Sequence, residues 1–388
     1  MTFVLSAPVT RVDLAPSGGA LPIPLQALAP NVYALRVAAN IAFSTAAYTT
    51  GDQHAFLGFL DVYNGATRES RYNLLANVRT PDMPDVAINS LSPTAQISDR
   101  VLNLRWDPLL NGGGPSQAIG REAYRWIPDN FDILAFIEQV ETFANRFYMG
   151  VRNNTAGIGS GLFDNGAIWG SPSRLKGAIA FPISSLFDGA NIAMSHEIGH
   201  RWMVHIPAVR GGAHWLVSEL AHGIMGFSIP GSGAGGHFNF SIADLGTSGI
   251  RFDCAPQARD FNRVELYLMG LLPRDSVPGT FMMIDNAPPA ITCGMVFNGA
   301  VRRITVDTVI AAAGGPRPLE TNRVFRLGVV VLSTGALLTA HEMAFFDAMV
   351  ARAEAEVELL GTEGLARYSM RSFLLATGGR ARLIARVR

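Results

Sequence analysis

The sequence predicts an α+β fold. A β-rich N-terminal domain over residues 1–115 precedes a mixed segment over 116–275, built round one motif-bearing helix, and a second mixed segment over 276–388. Three observations lead there. Hydrophobic residues make up 48% of the 388 and charged residues only 16%, a balance that builds a large packed interior rather than a disordered chain. Strand-period alternation and a hairpin signal crowd the N-terminal part, whereas helix-period spacing and capping patterns appear only later. A glycine run, NGGGP at 111–115, separates the two regimes and reads as a linker.

In order along the chain, 56–63 is apolar and aromatic, Asn64-Gly65 is a two-residue hairpin signal, and 72–75 begins the return strand. Leu102, Leu104 and Trp106 alternate with Val101, Asn103 and Arg105, the period of a half-buried strand. Beyond the linker, Ile133, Phe136, Ile137, Val140, Phe143 and Phe147 recur at helical spacing behind Asp129 or Asn130 as a cap, which predicts a core helix. A loop rich in Asn and Gly follows over 153–170, and 175–183 reads as a strand leading into the next helix. In the last segment 325–332 is an apolar strand, and Thr339 with Glu342 has the spacing of a capping box.

Composition excludes several classes of partner. Lys+Arg and Asp+Glu are both 31, so no net field draws the chain to nucleic acid. The apolar stretch 327–338 is interrupted by Ser333, Thr334 and Gly335 and is too short to span a bilayer. The N-terminal residues show no cationic segment ahead of an apolar core, so no signal peptide is read. Cys254 and Cys293 are too few for a disulfide scaffold or a four-cysteine zinc site; they pair with each other or are two buried thiols.

Chemistry concentrates in NIAMSHEIGHRWMVH, where His196-Glu197-Ile198-Gly199-His200 is an H-E-x-x-H pattern inside an apolar-periodic segment. Residues four apart on a helix lie nearly above one another, so both imidazoles can reach one zinc ion. Glu197, offset by one position, can face water on the metal without binding it, and zinc brings the pKa of such water to about 7, within reach of a carboxylate base. Gly199 in mid-helix marks either tight packing or a close approach to the site. A catalytic site needs a third protein ligand and an open position. His205 has turned about 140° round the helix from His200. Glu219 lies in HWLVSELAHGIMGF, whose apolar spacing suggests a second helix; His214 is its rival and His222 a lesser one.

With eighteen residues between His200 and Glu219, the pattern resembles the gluzincin branch of the zincin metallopeptidases. The resemblance covers residues 170–225 and implies a zincin-like catalytic domain with His196, His200 and Glu219 on zinc and Glu197 as general base. It departs at one point: Glu219 stands four residues after Trp215, where the aminopeptidase-like gluzincins place the glutamate three after a tryptophan. The metzincin pattern fails at Met203 and Ile206, where it needs a glycine and a histidine. Zincins also present an edge strand to extended substrate, and 175–181, with Arg174 and Lys176 near its start, is the expected one. Tyr267 and His237 are candidates for an oxyanion donor, and Asp244 and Asp253 for carboxylates that orient a zinc-bound imidazole. The glycine-rich stretch 231–236 is not followed by a Walker lysine, so phosphate binding is not expected.

The expected activity is zinc-dependent hydrolysis of a polypeptide substrate. Two alternatives share the metal: a zinc hydrolase of a non-peptide amide or ester, and a binding protein whose β-rich domain recognises its target while zinc is structural. The last has no use for a carboxylate beside the metal, which Glu197 supplies.

Overall fold

The computed structural model describes the chain apart from residues 1, 6–8, 17–20, 36–53, 78–85, 109–113, 140–145, 188–191, 204, 233 and 358–370. It mixes strands and helices in an α+β fold. Near the N-terminus, β1 (Arg11–Pro16), β2 (His54–Asn64) and β3 (Thr67–Asn77) join the short strand Ile23–Pro24 in an antiparallel sheet. Asn64 faces Thr67 across the expected hairpin, and Gly65 takes φ 60°, a conformation glycine adopts without steric cost. Val12, Leu14, Leu60, Val62 and Leu74 form a core of their own under this sheet.

The rest is organised by an eight-stranded sheet. Its strands are β4 (Asn89–Ser92), β5 (Ala95–Ile97), β6 (Val101–Arg105), β7 (Ile133–Glu138), β8 (Phe147–Gly150), β9 (Gly177–Pro182), β10 (Val324–Ser333) and β11 (Arg382–Ile384). The order is β8-β9-β7-β10-β6-β5-β4, with β11 beside β10. The middle strands β9, β7, β10 and β6 run parallel, and β8 closes one side antiparallel to β9. Strands from all three expected segments, 1–115, 116–275 and 276–388, therefore share one sheet.

Both faces of the middle strands are covered. Ile133, Ala135 and Ile137 of β7 and Val329 and Val331 of β10 enter the larger core, while Leu134, Phe136, Val330 and Leu332 enter the one on the opposite face. Helix α1 (Gly114–Ala123) packs Ile119 and Ala123 against that second face. This explains a correction. Residues 133–138 form a strand where the spacing predicts a helix, because all six are buried, and a continuous apolar run fits a period of 3.6 as readily as one of 2. Val140 and Phe143 lie outside the described residues. The linker expected at 111–115 is also corrected in part: Gly114 and Pro115 begin α1, where proline's missing N–H costs nothing.

Helix α2 (Ala193–Gly199) carries the motif and lies in the larger core. It is followed by α3 (Arg263–Leu268) and α4 (Ala340–Ala351), both opened by full capping boxes, the second from Thr339 and Glu342 as expected. Cys254 and Cys293 form a disulfide. No helix among the described residues is long and apolar enough to cross a membrane.

Candidate metal centre

All seven residues of α2 are buried, and His200 at its C-cap keeps helical dihedrals (φ −56°, ψ −17°), so the i, i+4 relation of the two histidines survives the end of the helix. Their ring centroids lie 4.9 Å apart. Gly199 answers to packing: a Cβ there would come within 2.5 Å of Met225 Sδ and 3.1 Å of the Phe261 ring.

His214 completes the cluster. Its ring centroid is 5.1 Å from that of His196 and 5.2 Å from that of His200, and one ligand nitrogen from each of the three falls within 4.8 Å of the others. A tight turn delivers it. Gly211 N donates to the His214 carbonyl at 2.8 Å while Gly212 takes φ 90°. Trp215, fully buried, then bridges to Arg210 on one side and Phe227 on the other. The glycine-rich stretch packs on the imidazole from outside, since a Cβ on Gly235 would lie 2.4 Å from His214 Cε1.

The Ile224 carbonyl can only accept, so His196 Nδ1, 2.7 Å away, carries the proton and Nε2 presents its lone pair to the cluster. Burial first, then the neighbouring His200, holds His196 well below the usual histidine range. Burial and His214 bring His200 down to about 3, and burial and Arg146 bring His214 to about 4. All three are neutral at pH 7, the form in which imidazole binds a metal.

Glu197 lies beside them, its Oε1 4.0 Å from His196 Nε2 and 3.1 Å from Arg146 Nε. Burial pushes its carboxyl up to about 7 against the opposing pull of Arg146. Its Oε2 and His214 Nδ1 are buried without hydrogen-bond partners. Three neutral nitrogens that converge, beside unsatisfied buried polar atoms, form a donor set that could hold a metal ion. The group lines a cleft of about 1060 Å³ whose walls include Phe147 and Tyr148 of β8, Phe163 and His237.

Other expected residues lie elsewhere. Glu219 is exposed on a single 3₁₀ turn, not a helix, because Ser218 before it is extended and bridges Met283; its Oε2 accepts from Met282 N at 2.7 Å, away from the histidines. The structure thus brings His214, and not Glu219, together with His196 and His200. Tyr267, expected as an oxyanion donor, is buried in the core, its hydroxyl accepting from Arg317 N at 2.8 Å, and is not among the residues lining the cleft. His205 and His222 donate to the carbonyls of His200 and Pro256, each at 3.1 Å. Asp244 pairs with Arg303, and Asp253 with Arg251. The expected edge strand is an inner one: β9 lies between β7 and β8, and β8 borders the cleft. Arg174 and Lys176 both bind Asp132, at 3.0 and 3.3 Å.

Two residues that sequence reasoning missed shape the centre. Arg146 shows no motif signal. Glu265, the N3 residue of α3, could have been found as half of a capping box with Asn262 but not as what else it is. Fully buried, it accepts from Trp215 Nε1 at 2.9 Å and Met225 N at 3.3 Å with Oε1, and from Asn262 N at 2.8 Å with Oε2. It thus ties the chain next to His214 to the chain next to Ile224.

Burial pushes the Glu265 carboxyl up to about 7 despite these donors, Trp215 foremost. The folded protein then holds a proton that the unfolded chain releases near pH 4.3, so this group's contribution is full below that pH and is lost as pH rises to about 7, an effect of about 3 kcal/mol. Denaturant unfolding of wild type and Glu265→Gln between pH 4 and 8 is expected to show wild type losing stability relative to the variant across that window. Parallel profiles would refute the assignment.

No protein-family model, curated protein or solved structure matches the chain.

Proposed function

We propose that this chain is a zinc-dependent peptidase of zincin type whose ligands are His196, His200 and His214 and whose general base is Glu197. One observation carries the reading: three neutral imidazoles converge within 4.8 Å on the wall of an open cleft, with a buried carboxylate next to them. A purely structural site would gain nothing from that carboxylate, whose burial is costly. The helix α2 against a sheet whose antiparallel border strand β8 lines the cleft supports a zincin-like architecture.

His196, His200 and His214 would hold the zinc, which would supply a Lewis acid able to polarise a carbonyl and acidify water. The chain's own groups supply the rest. Glu197 takes the proton of the attacking water on Oε2, its unpartnered oxygen, and passes it to the departing amine. Arg146 holds Oε1 and so fixes the direction of the other oxygen. The backbone of β8 offers extended substrate a row of hydrogen-bonding groups, which grips a peptide with little regard to its side chains.

The test is mass spectrometry of the products. Zinc-loaded protein incubated with an unfolded polypeptide is expected to yield fragments with new N-termini, and a chelator to stop their appearance. Hydrolysis of small esters or amides with the polypeptide left intact would replace the peptidase reading with the non-peptide one.

A further inference from the structure

The cleft carries more positive charge than its chemistry requires. Arg146, Arg152, Arg201 and Arg210 line it, and Glu197 is the one carboxylate among its described lining residues. Three of these arginines are engaged: Arg146 pairs with Glu197, Arg152 with the exposed Asp164 at 2.8 Å, and Arg210 has a partner of its own. Arg201 differs. It is 6% exposed, yet no carboxylate among the described residues lies within ion-pair distance of it. Its Nη1 donates to the Arg152 carbonyl at 3.2 Å, its Nη2 reaches Asn154 Oδ1 and Thr155 Oγ1 only at 3.4 Å, and its Nε is buried without a partner.

A guanidinium offers five N–H donors in a rigid fork suited to a carboxylate. Burying one without a counter-charge is expensive, and pinning the 152–155 loop needs only neutral donors. Its neighbour in sequence, His200, is a proposed metal ligand, so an anion held at Arg201 sits within the same cleft as the reacting bond.

We propose that Arg201 forms a subsite for a carboxylate of the substrate, either an acidic side chain or a free chain terminus. This deepens the peptidase reading and rests on it. The arginines around Arg201 attract the anion into the cleft, and Arg201 holds it there.

Binding tests the subsite apart from turnover. Three related peptides, the first two blocked at both ends, are titrated calorimetrically into zinc-loaded and metal-free protein. The first carries a glutamate, the second a glutamine in its place, and the third that glutamine with an unblocked C-terminal carboxylate. At least one carboxylate peptide is expected to bind about tenfold or more tightly than the neutral one. The preference is expected in both forms of the protein, to shrink as salt rises, to vanish in Arg201→Met and to persist in part in Arg201→Lys. Whichever charged peptide prevails identifies the source of the carboxylate. Equal binding of all three overturns the proposal. So does a preference confined to the zinc-loaded form, which places the anion on the metal, or one untouched in Arg201→Met. If Arg201→Met fails to fold, the Arg201→Lys and salt arms decide. A carboxylate preference without cleavage leaves the subsite standing and removes the peptidase.

Discussion

Glu197→Gln is expected to keep its zinc and its fold while hydrolysis falls by two to four orders of magnitude, the usual scale of a lost general base. The carboxamide has the shape of the carboxylate, and its oxygen can stay beside Arg146 Nε, which lies 3.1 Å from Glu197 Oε1. What disappears is the ability to accept and return a proton at Oε2. Because the side chain is 3% exposed, solvent cannot readily substitute for it. The measurement is kcat at saturating zinc, with metal content and circular dichroism alongside. Turnover within tenfold of wild type would move the base to another residue and strengthen the alternative in which the metal is structural.

His214→Ala is expected to lose zinc, and Glu219→Ala to retain it. Losing a residue that only orients a ligand typically costs 10- to 100-fold in metal affinity, so losing a ligand costs more. Glu219→Ala removes instead the acceptor for Met282 N, which costs stability on the order of 1 kcal/mol and leaves the centre intact. Zinc affinity by competition with a chromogenic chelator, at equal pH in folded protein, separates the two. Release from Glu219→Ala with retention in His214→Ala would restore the glutamate as third ligand and reject the cluster of three histidines.

His196, Glu197 and His200 were legible in the sequence because their relation is local: a four-residue step on a helix depends on nothing beyond that helix. His214 was legible as a rival but not as the side chain that joins the other two histidines. Its position follows from the turn at Gly211 and Gly212 and from the Trp215 indole bound to Glu265, a contact between residues 50 positions apart. Spacing does not reveal such a contact, and the same eighteen-residue gap that suggested Glu219 leads to a side chain facing Met282. The fold divides in the same way. The hairpin at Asn64-Gly65 and the box at Thr339 and Glu342 are written in adjacent residues and were readable. Strand β7 was not, because burial on both faces erases the alternation that distinguishes a strand. Arg146 reaches Glu197 only through the sheet that places β8 beside β9.

Titration of metal-free protein with zinc, reading polypeptide hydrolysis at each addition, tests the central claim most directly. Activity is expected to start near zero, rise in proportion to added zinc and level off at about one ion per chain, with His196→Ala showing no such rise. Full hydrolysis by folded protein at zero metal would contradict the account.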